Sequence, residues 1–268
     1  MHKIDLHIHS NYSDGKSDCR DIVRLAARQK IEIFSITDHD TLCGLEETIE
    51  TAKELSLTCV PGIEISTSVE DMLHILGYRI NWRDESFCSF VKFCQEQRFE
   101  RMKKFITSLN KHGLTITLAD VLDLVKSSPS RVHIAQVLVE KKYAFSRGEA
   151  FKKFLTPSSP TYVRPTGVST EDAISAINKA GGVAVLAHPG VTSVLNIPQW
   201  VNAGLKAIEA FYPRHSKTET NDYINTADKY GIFVTAGSDY HGPDCGFSTE
   251  LGAQVPDEVF NVIKEKLI

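Results

Sequence analysis

Short apolar runs that end in a histidine or a carboxylate recur along most of this 268-residue chain, and they restrict its fold more than any other feature. Ile4, Leu6 and Ile8 alternate with Asp5, His7 and His9, a period-two segment with one apolar and one polar face. Ile31–Thr37 runs into Asp38-His39-Asp40, Pro61-Gly62 leads into Ile63-Glu64-Ile65, and a strand over Met72–Tyr78 carries His74 in its middle. Further on, Val183–Ala187 stops at His188 and Leu205–Phe211 at Tyr212-Pro213-Arg214-His215. Ile232–Ala236 then runs into Gly237-Ser238-Asp239-Tyr240-His241. Helical patterns separate these runs, so the expected class is α/β. In a parallel barrel the C-terminal strand ends converge on one face, where residues remote in sequence share a pocket. A single histidine of this kind is usually an ordinary core or surface residue; a whole set at strand ends points to a site.

The alternation breaks in the middle of the chain. From about Asp84 to Ser159 the pattern is helical, with Phe87, Phe90, Val91, Cys94, Met102, Phe105, Ile106 and Leu109 at helical spacing and Gly113 placed to end that helix. These phenylalanines are read as core rather than as a platform for stacking bases. Shorter helices are expected over Leu118–Lys126, Arg131–Lys141 and Arg147–Leu155. The expected organisation is therefore a barrel from residues 1–80 and 164–268, with a helical insertion, 81–163, covering the active site. Ser17 or Asp18, Ser169-x-x-Asp172 and Ser216-x-x-Glu219 supply helix starts, and Gly231 a helix stop.

Thirty-four acidic residues against thirty Lys and Arg leave a net charge of −4. That balance argues against binding long duplex nucleic acid or a membrane surface through excess positive charge. Six cysteines without a C-x-x-C pair do not read as a disulfide framework. No apolar run approaches the roughly 20 residues of a membrane span, and the N-terminus lacks a signal-peptide core. A cytoplasmic location is expected; oligomeric state is left open.

His7-Ile8-His9 is the sharpest local signal, because residues i and i+2 on a strand point to the same side and can share a metal ion. Together with Thr37-Asp38-His39-Asp40, Pro61-Gly62-Ile63-Glu64, Leu186-Ala187-His188-Pro189 and Gly237-Ser238-Asp239-Tyr240-His241, this opening resembles the PHP (polymerase and histidinol phosphatase) family, with the motifs in family order. The resemblance implies a distorted (β/α)7 barrel and a trinuclear metal site. It places His7, His9, Glu64 and Asp239 on the first metal, Glu64, His74 and His188 on the second, and Asp14, His39 and His241 on the third. Imidazole and carboxylate donors without thiolate favour Mn²⁺, Fe²⁺ or Zn²⁺, with Mn²⁺ the expected metal. The implied chemistry is phosphoester hydrolysis by a metal-bridging hydroxide without a covalent enzyme intermediate.

Within that family, Arg131-x-His133-Ile134-Ala135, Glu149-Ala150-Phe151 and Tyr162-Val163 resemble a stand-alone branch. It includes 3′,5′-nucleoside bisphosphate phosphatases and 5′→3′ exoribonucleases acting on short RNA. Arg131 and His133 fall in the first turn of an expected helix, where free backbone N–H groups favour phosphate. Candidate substrate contacts are Ser10, Arg131, His133, Arg164, Tyr212, Arg214 and His215, and His215 is also a candidate acid for the leaving oxygen. Histidinol phosphate phosphatase and a non-catalytic module are the competing readings. His2 and His112 are read as surface histidines.

Overall fold

The computed structural model describes residues 1–243, 245, 248 and 250–268. It begins with β1 (His2–Ile8), α1 (Cys19–Arg28), β2 (Ile33–Ile36), α2 (Leu45–Glu54), β3 (Thr58–Cys59), β4 (Gly62–Ser66) and β5 (His74–Tyr78). A helical block follows: α3 (Glu85–Lys111), α4 (Leu118–Leu122), α5 (Arg131–Glu140) and α6 (Arg147–Ala150), the last continuing as a π-helical turn over Phe151–Leu155. The remainder is α7 (Thr170–Lys179), β6 (Val183–Leu186), α8 (Ile197–Asn202), β7 (Ala207–Phe211), α9 (Lys217–Tyr230), β8 (Phe233–Ala236), β9 (Ala253–Val255) and α10 (Asp257–Leu267).

The strands form two sheets, of order β3-β2-β1-β9 and β4-β5-β6-β7-β8. Single parallel bridges join them, His39 to Glu64 at one seam and Ile8 to Tyr240 at the other. The sheets are mixed, not wholly parallel: β9 runs antiparallel to β1, and β5 antiparallel to both β4 and β6. That reversal corrects the position expected for His74. It is the first residue of β5, not its middle, and it pairs with Ser66 at the C-terminal end of β4. Because the strand is reversed, its N-terminal end shares a face with the C-terminal ends of its neighbours.

Local sequence explains most element ends. Asp18, rather than Ser17, caps α1 by accepting from the Asp21 N–H. Ser169 caps α7, Ser216 and Glu219 form a capping box on α9, and Gly231 closes α9 in the left-handed region at φ 63°. The helix α3 is one continuous element that serves two cores. Phe87, Val91 and Cys94 pack against Ile63, Ile75 and Leu186 of the sheet and against Ile174 and Ile177 of α7. Its later residues Met102, Phe105 and Leu109 pack with Ile134, Leu138 and Leu155 of the helical block. A third apolar cluster unites Leu6, Leu76, Val185 and Ala236 with Phe260 and Ile263 of α10. Among the described residues no helix is long and apolar enough to cross a membrane, and all six cysteines are free thiols.

Candidate metal centre and cavity

Both faces of β1 are buried: Ile4, Leu6 and Ile8 on one, Asp5, His7 and His9 on the other, each 0% exposed. A buried polar face needs partners, and these come from the ends of the neighbouring strands. His9 Nε2 lies 3.2 Å from Glu64 Oε2 and 3.2 Å from Asp239 Oδ1, and His7 Nε2 lies 3.4 and 3.5 Å from the same two atoms. On the other carboxylate oxygen, Glu64 Oε1 has His74 Nδ1 at 2.8 Å and His188 Nε2 at 3.1 Å. Asp14 faces His241 Nε2 at 3.3 Å and His39 Nε2 at 3.9 Å, while His39 Nδ1 turns to Glu64 Oε2 at 3.0 Å.

Among the described residues, six histidines and three carboxylates thus converge, in four overlapping groups whose ligand atoms lie within 4.8 Å of one another. One group is His9, Asp14, His39 and His241; the others are His7, His9 and Asp239, then His7, Glu64 and His188, then His39, Glu64 and His74. His7, His9 and His39 therefore bridge groups that the sequence resemblance keeps apart. Glu64, expected to be shared, is shared.

The donor set fits divalent ions on its own terms. His7 Nε2, His9 Nε2, His39 Nδ1, His74 Nδ1, Asp14 Oδ1 and Glu64 Oε2 are buried and make no hydrogen bond of acceptable geometry, although they face one another at close range. Orphaned polar atoms at such density are unfavourable unless an ion satisfies them. Ligands about 2.1 Å from a tetrahedral ion stand about 3.4 Å apart, close to the separations around His7, His9, Glu64 and Asp239. Burial opposes ionisation of Glu64 and Asp14, but the surrounding imidazoles hold both well below the usual carboxylate range. Burial also works against a charged His9, yet Asp239 and Glu64 push it up to about 10, whereas burial takes His39 down to about 4.

Surrounding side chains hold this cluster in place. Glu209, on β7, accepts from His7 Nδ1 at 3.1 Å and from the His188 N–H at 2.8 Å. Asp5 accepts from the Ser238 N–H and hydroxyl and from the Gly252 N–H, and burial pushes it up to about 6 against those bonds. Gly237 is required by close approach, since a Cβ there would stand 2.3 Å from His7 Cβ. His188 and Asp239 adopt positive φ, 24° and 54°, as non-glycine residues. Backbone strain of this kind persists where a site over-determines it.

Above the cluster lies a cavity of about 960 Å³. Its lining includes Asp14, His39, Glu64, His74, His188, Asp239 and His241 of the cluster, together with Met72, Met102, Phe105, Phe151 and Tyr162. Arg98, Arg101, Arg131, Arg147 and Arg214 also line it. Of the expected substrate contacts, Arg131 and the exposed Arg214 face this space.

The others do not. Ser10 is fully buried and gives both its N–H and its hydroxyl to Asp38. His133 is buried, and its Nδ1 accepts from the Ser130 N–H as part of the α5 capping box. Tyr212 is buried with its hydroxyl on Asp239. Arg164 is exposed and lies outside the cavity lining. His215 lies outside the cavity lining; its Nδ1–H donates to the Ala210 carbonyl and its Nε2 accepts from the Gly190 N–H. In this arrangement Nε2 carries no proton, and burial lowers the affinity of the ring for a second one.

Sequence reasoning missed Glu209, Asp71, Arg98 and Arg101. Glu209 carried a usable signal, a lone carboxylate inside the apolar run Ala207-Ile208-Glu209-Ala210-Phe211. The other three carried none, because one sits in a loop and two lie within the long helix α3.

Comparison with known proteins agrees with this geometry. A family model described as PHP domain matches residues 5–147. The chain is 31% identical to the 3′,5′-nucleoside bisphosphate phosphatase of Chromobacterium violaceum, over 92% of this chain and 90% of that protein. It is 31% identical to the 5′-3′ exoribonuclease Rnm of Escherichia coli, over 89% of this chain and 85% of the relative. A solved structure from Bifidobacterium adolescentis, described as a candidate metal-dependent phosphoesterase, superposes with a TM-score of 0.86 at 28% identity, covering 98% of this chain and 96% of that one.

Proposed function

Because the chain belongs to the PHP domain family, a family of metal-dependent phosphoesterases, we propose that its substrates are small phosphorylated nucleotides. Within that class it acts as a nucleotide phosphatase of the 3′,5′-nucleoside bisphosphate type or as a 5′→3′ exonuclease on short RNA. The observation that carries the reading is one cavity holding both a dense His and carboxylate cluster and several arginines. Its volume is at the upper end of the roughly 300–1,000 Å³ of small-molecule sites, room for a nucleotide and too little for a long duplex.

Three divalent ions, Mn²⁺ in the first place with Fe²⁺ or Zn²⁺ as alternatives, would be held by the nine clustered residues, Glu64 being shared between two of them. Bound there, such ions bring the ionisation of a coordinated water near neutral pH and offset the charge of phosphoryl oxygens. The chain's own residues do the rest. Glu209 fixes the ring of His7 and the backbone of His188, Arg214 meets phosphate charge with Arg131 on the same cavity wall, and Met72, Phe105 and Phe151 make part of the wall apolar. The bridged sheets form the distorted (β/α)7 barrel in this reading, and the helical block is its cover.

The test is phosphate release and RNA shortening by Mn²⁺-loaded protein offered 3′,5′-bisphosphoadenosine, AMP, a short 5′-phosphorylated RNA and histidinol phosphate. Turnover of the nucleotide or RNA substrates well ahead of histidinol phosphate is expected. Preference for histidinol phosphate would overturn the substrate class while sparing the metal centre.

A further inference from the structure

Asp71 lies in the loop between β4 and β5, three residues before His74, on the wall of the same cavity. It belongs to none of the candidate metal groups. Its carboxylate is held from the helical block instead. Arg101 Nη2, on α3, donates to Oδ1; Arg131 Nη1, on α5, donates to Oδ2 at 2.6 Å; and the Tyr162 hydroxyl donates to Oδ2 at 2.8 Å. The side chain of Asp71 is 8% exposed, and those of Arg101 and Arg131 are 17% and 19% exposed.

Both guanidiniums are braced. Arg101 also donates to the Val163 carbonyl and sits 5.3 Å from the Phe105 ring, while Arg131 also donates to the Leu155 carbonyl and sits 5.7 Å from Phe151. Among the described residues Asp71 is the one carboxylate paired with either arginine. Arg98 nearby is already neutralised by Asp40. Two fixed guanidiniums around one carboxylate leave one positive charge uncompensated in a cavity that also holds the proposed reacting centre.

A guanidinium fork suits a phosphate as well as it suits a carboxylate. We propose that Asp71 is an internal competitor at an anion subsite formed by Arg101 and Arg131, so that a second, non-scissile phosphate on the substrate adds little to binding by this chain. The inference rests on the nucleotide reading and narrows it: a nucleoside bisphosphate is taken without drawing much binding energy from its second phosphate. A second phosphate reaching the pair must displace a largely desolvated carboxylate that already has three donors, and that exchange cancels most of its gain. Removing the Asp71 charge opens the subsite.

The experiment is calorimetric binding of two non-hydrolysable phosphonate analogues, of AMP and of 3′,5′-bisphosphoadenosine, to the full-length protein as purified. The native chain should bind the two with nearly equal affinity. Asp71→Asn should tighten binding of the bisphosphate analogue about tenfold or more, with little change for the AMP analogue. Adding Arg131→Gln to that variant should abolish the gain. Asp71→Ser serves as a second variant if the asparagine protein does not fold. A gain shared equally by both analogues, no gain, or loss of folding in both variants overturns the proposal. A selective gain in a protein that hydrolyses none of the nucleotide substrates would leave the subsite standing and sink the nucleotide reading. Hydrolysis without the gain would do the reverse.

Discussion

At the scale of single residues, the centre depends on side chains that touch no substrate. Glu209 is fully buried and spends both oxygens on the cluster, one on His7 and one on the backbone of His188. A carboxylate behind a metal-binding imidazole fixes its tautomer and raises its basicity. Glu209→Gln should therefore lower metal affinity about 10- to 100-fold while circular dichroism stays native; metal content after dialysis measures it, and full retention of metal would remove Glu209 from this role. Thiol reactivity offers an independent check on burial. Burial pushes the Cys19 thiol up to about 11, whereas Cys43 and Cys88 are exposed. Alkylation at pH 8 in the native state should label Cys43 and Cys88 well before Cys19, as read by peptide mass spectrometry.

At the scale of elements, helix ends were legible and one strand direction was not. Ser169, Ser216 and Gly231 act as their sequence contexts suggest, because caps are local chemistry within four residues. Gly231 holds φ 63°, and replacing it with alanine should cost about 1 kcal/mol in urea unfolding with phosphoesterase activity unchanged. A stability loss near zero would mean that the turn tolerates a side chain. The reversed strand β5 escaped the sequence because its apolar pattern reads the same in either direction; pairing with β4 and β6 decides which end His74 occupies. Likewise β9 and α10 went unread, although Phe260, Ile263 and Leu267 stand at helical spacing.

At the scale of the whole molecule, two sheets and a helical block meet around one polar core that is costly without ions. His7, His9 and Glu64 are each 0% exposed and keep ring nitrogens or a carboxylate oxygen without hydrogen bonds. Ions that bind the folded chain and not the unfolded one stabilise it, by about 2.7 kcal/mol when present at a hundred times Kd. Chelation should therefore lower the Tm by roughly 5–10 °C, and re-addition of Mn²⁺ should restore it in scanning calorimetry. An unchanged Tm would show that the cluster folds equally well without metal.

The sequence by itself determined the α/β class, the family and the identity of the residues that converge, since strand periodicity and terminal histidines and carboxylates are properties of short segments. It also singled out Arg131 as a candidate phosphate contact, a residue that lines the cavity. The partners of the other candidate side chains follow from packing between elements. His215, Tyr212, His133 and Ser10 have the right chemistry and the right neighbourhood, but each is already committed to a backbone group or a carboxylate. The same holds for the pairing of Asp71 with Arg101 and Arg131, which joins residues 30 and 60 positions apart. Hydrogen-bond partners at such separations depend on packing between elements, and no local pattern encodes them.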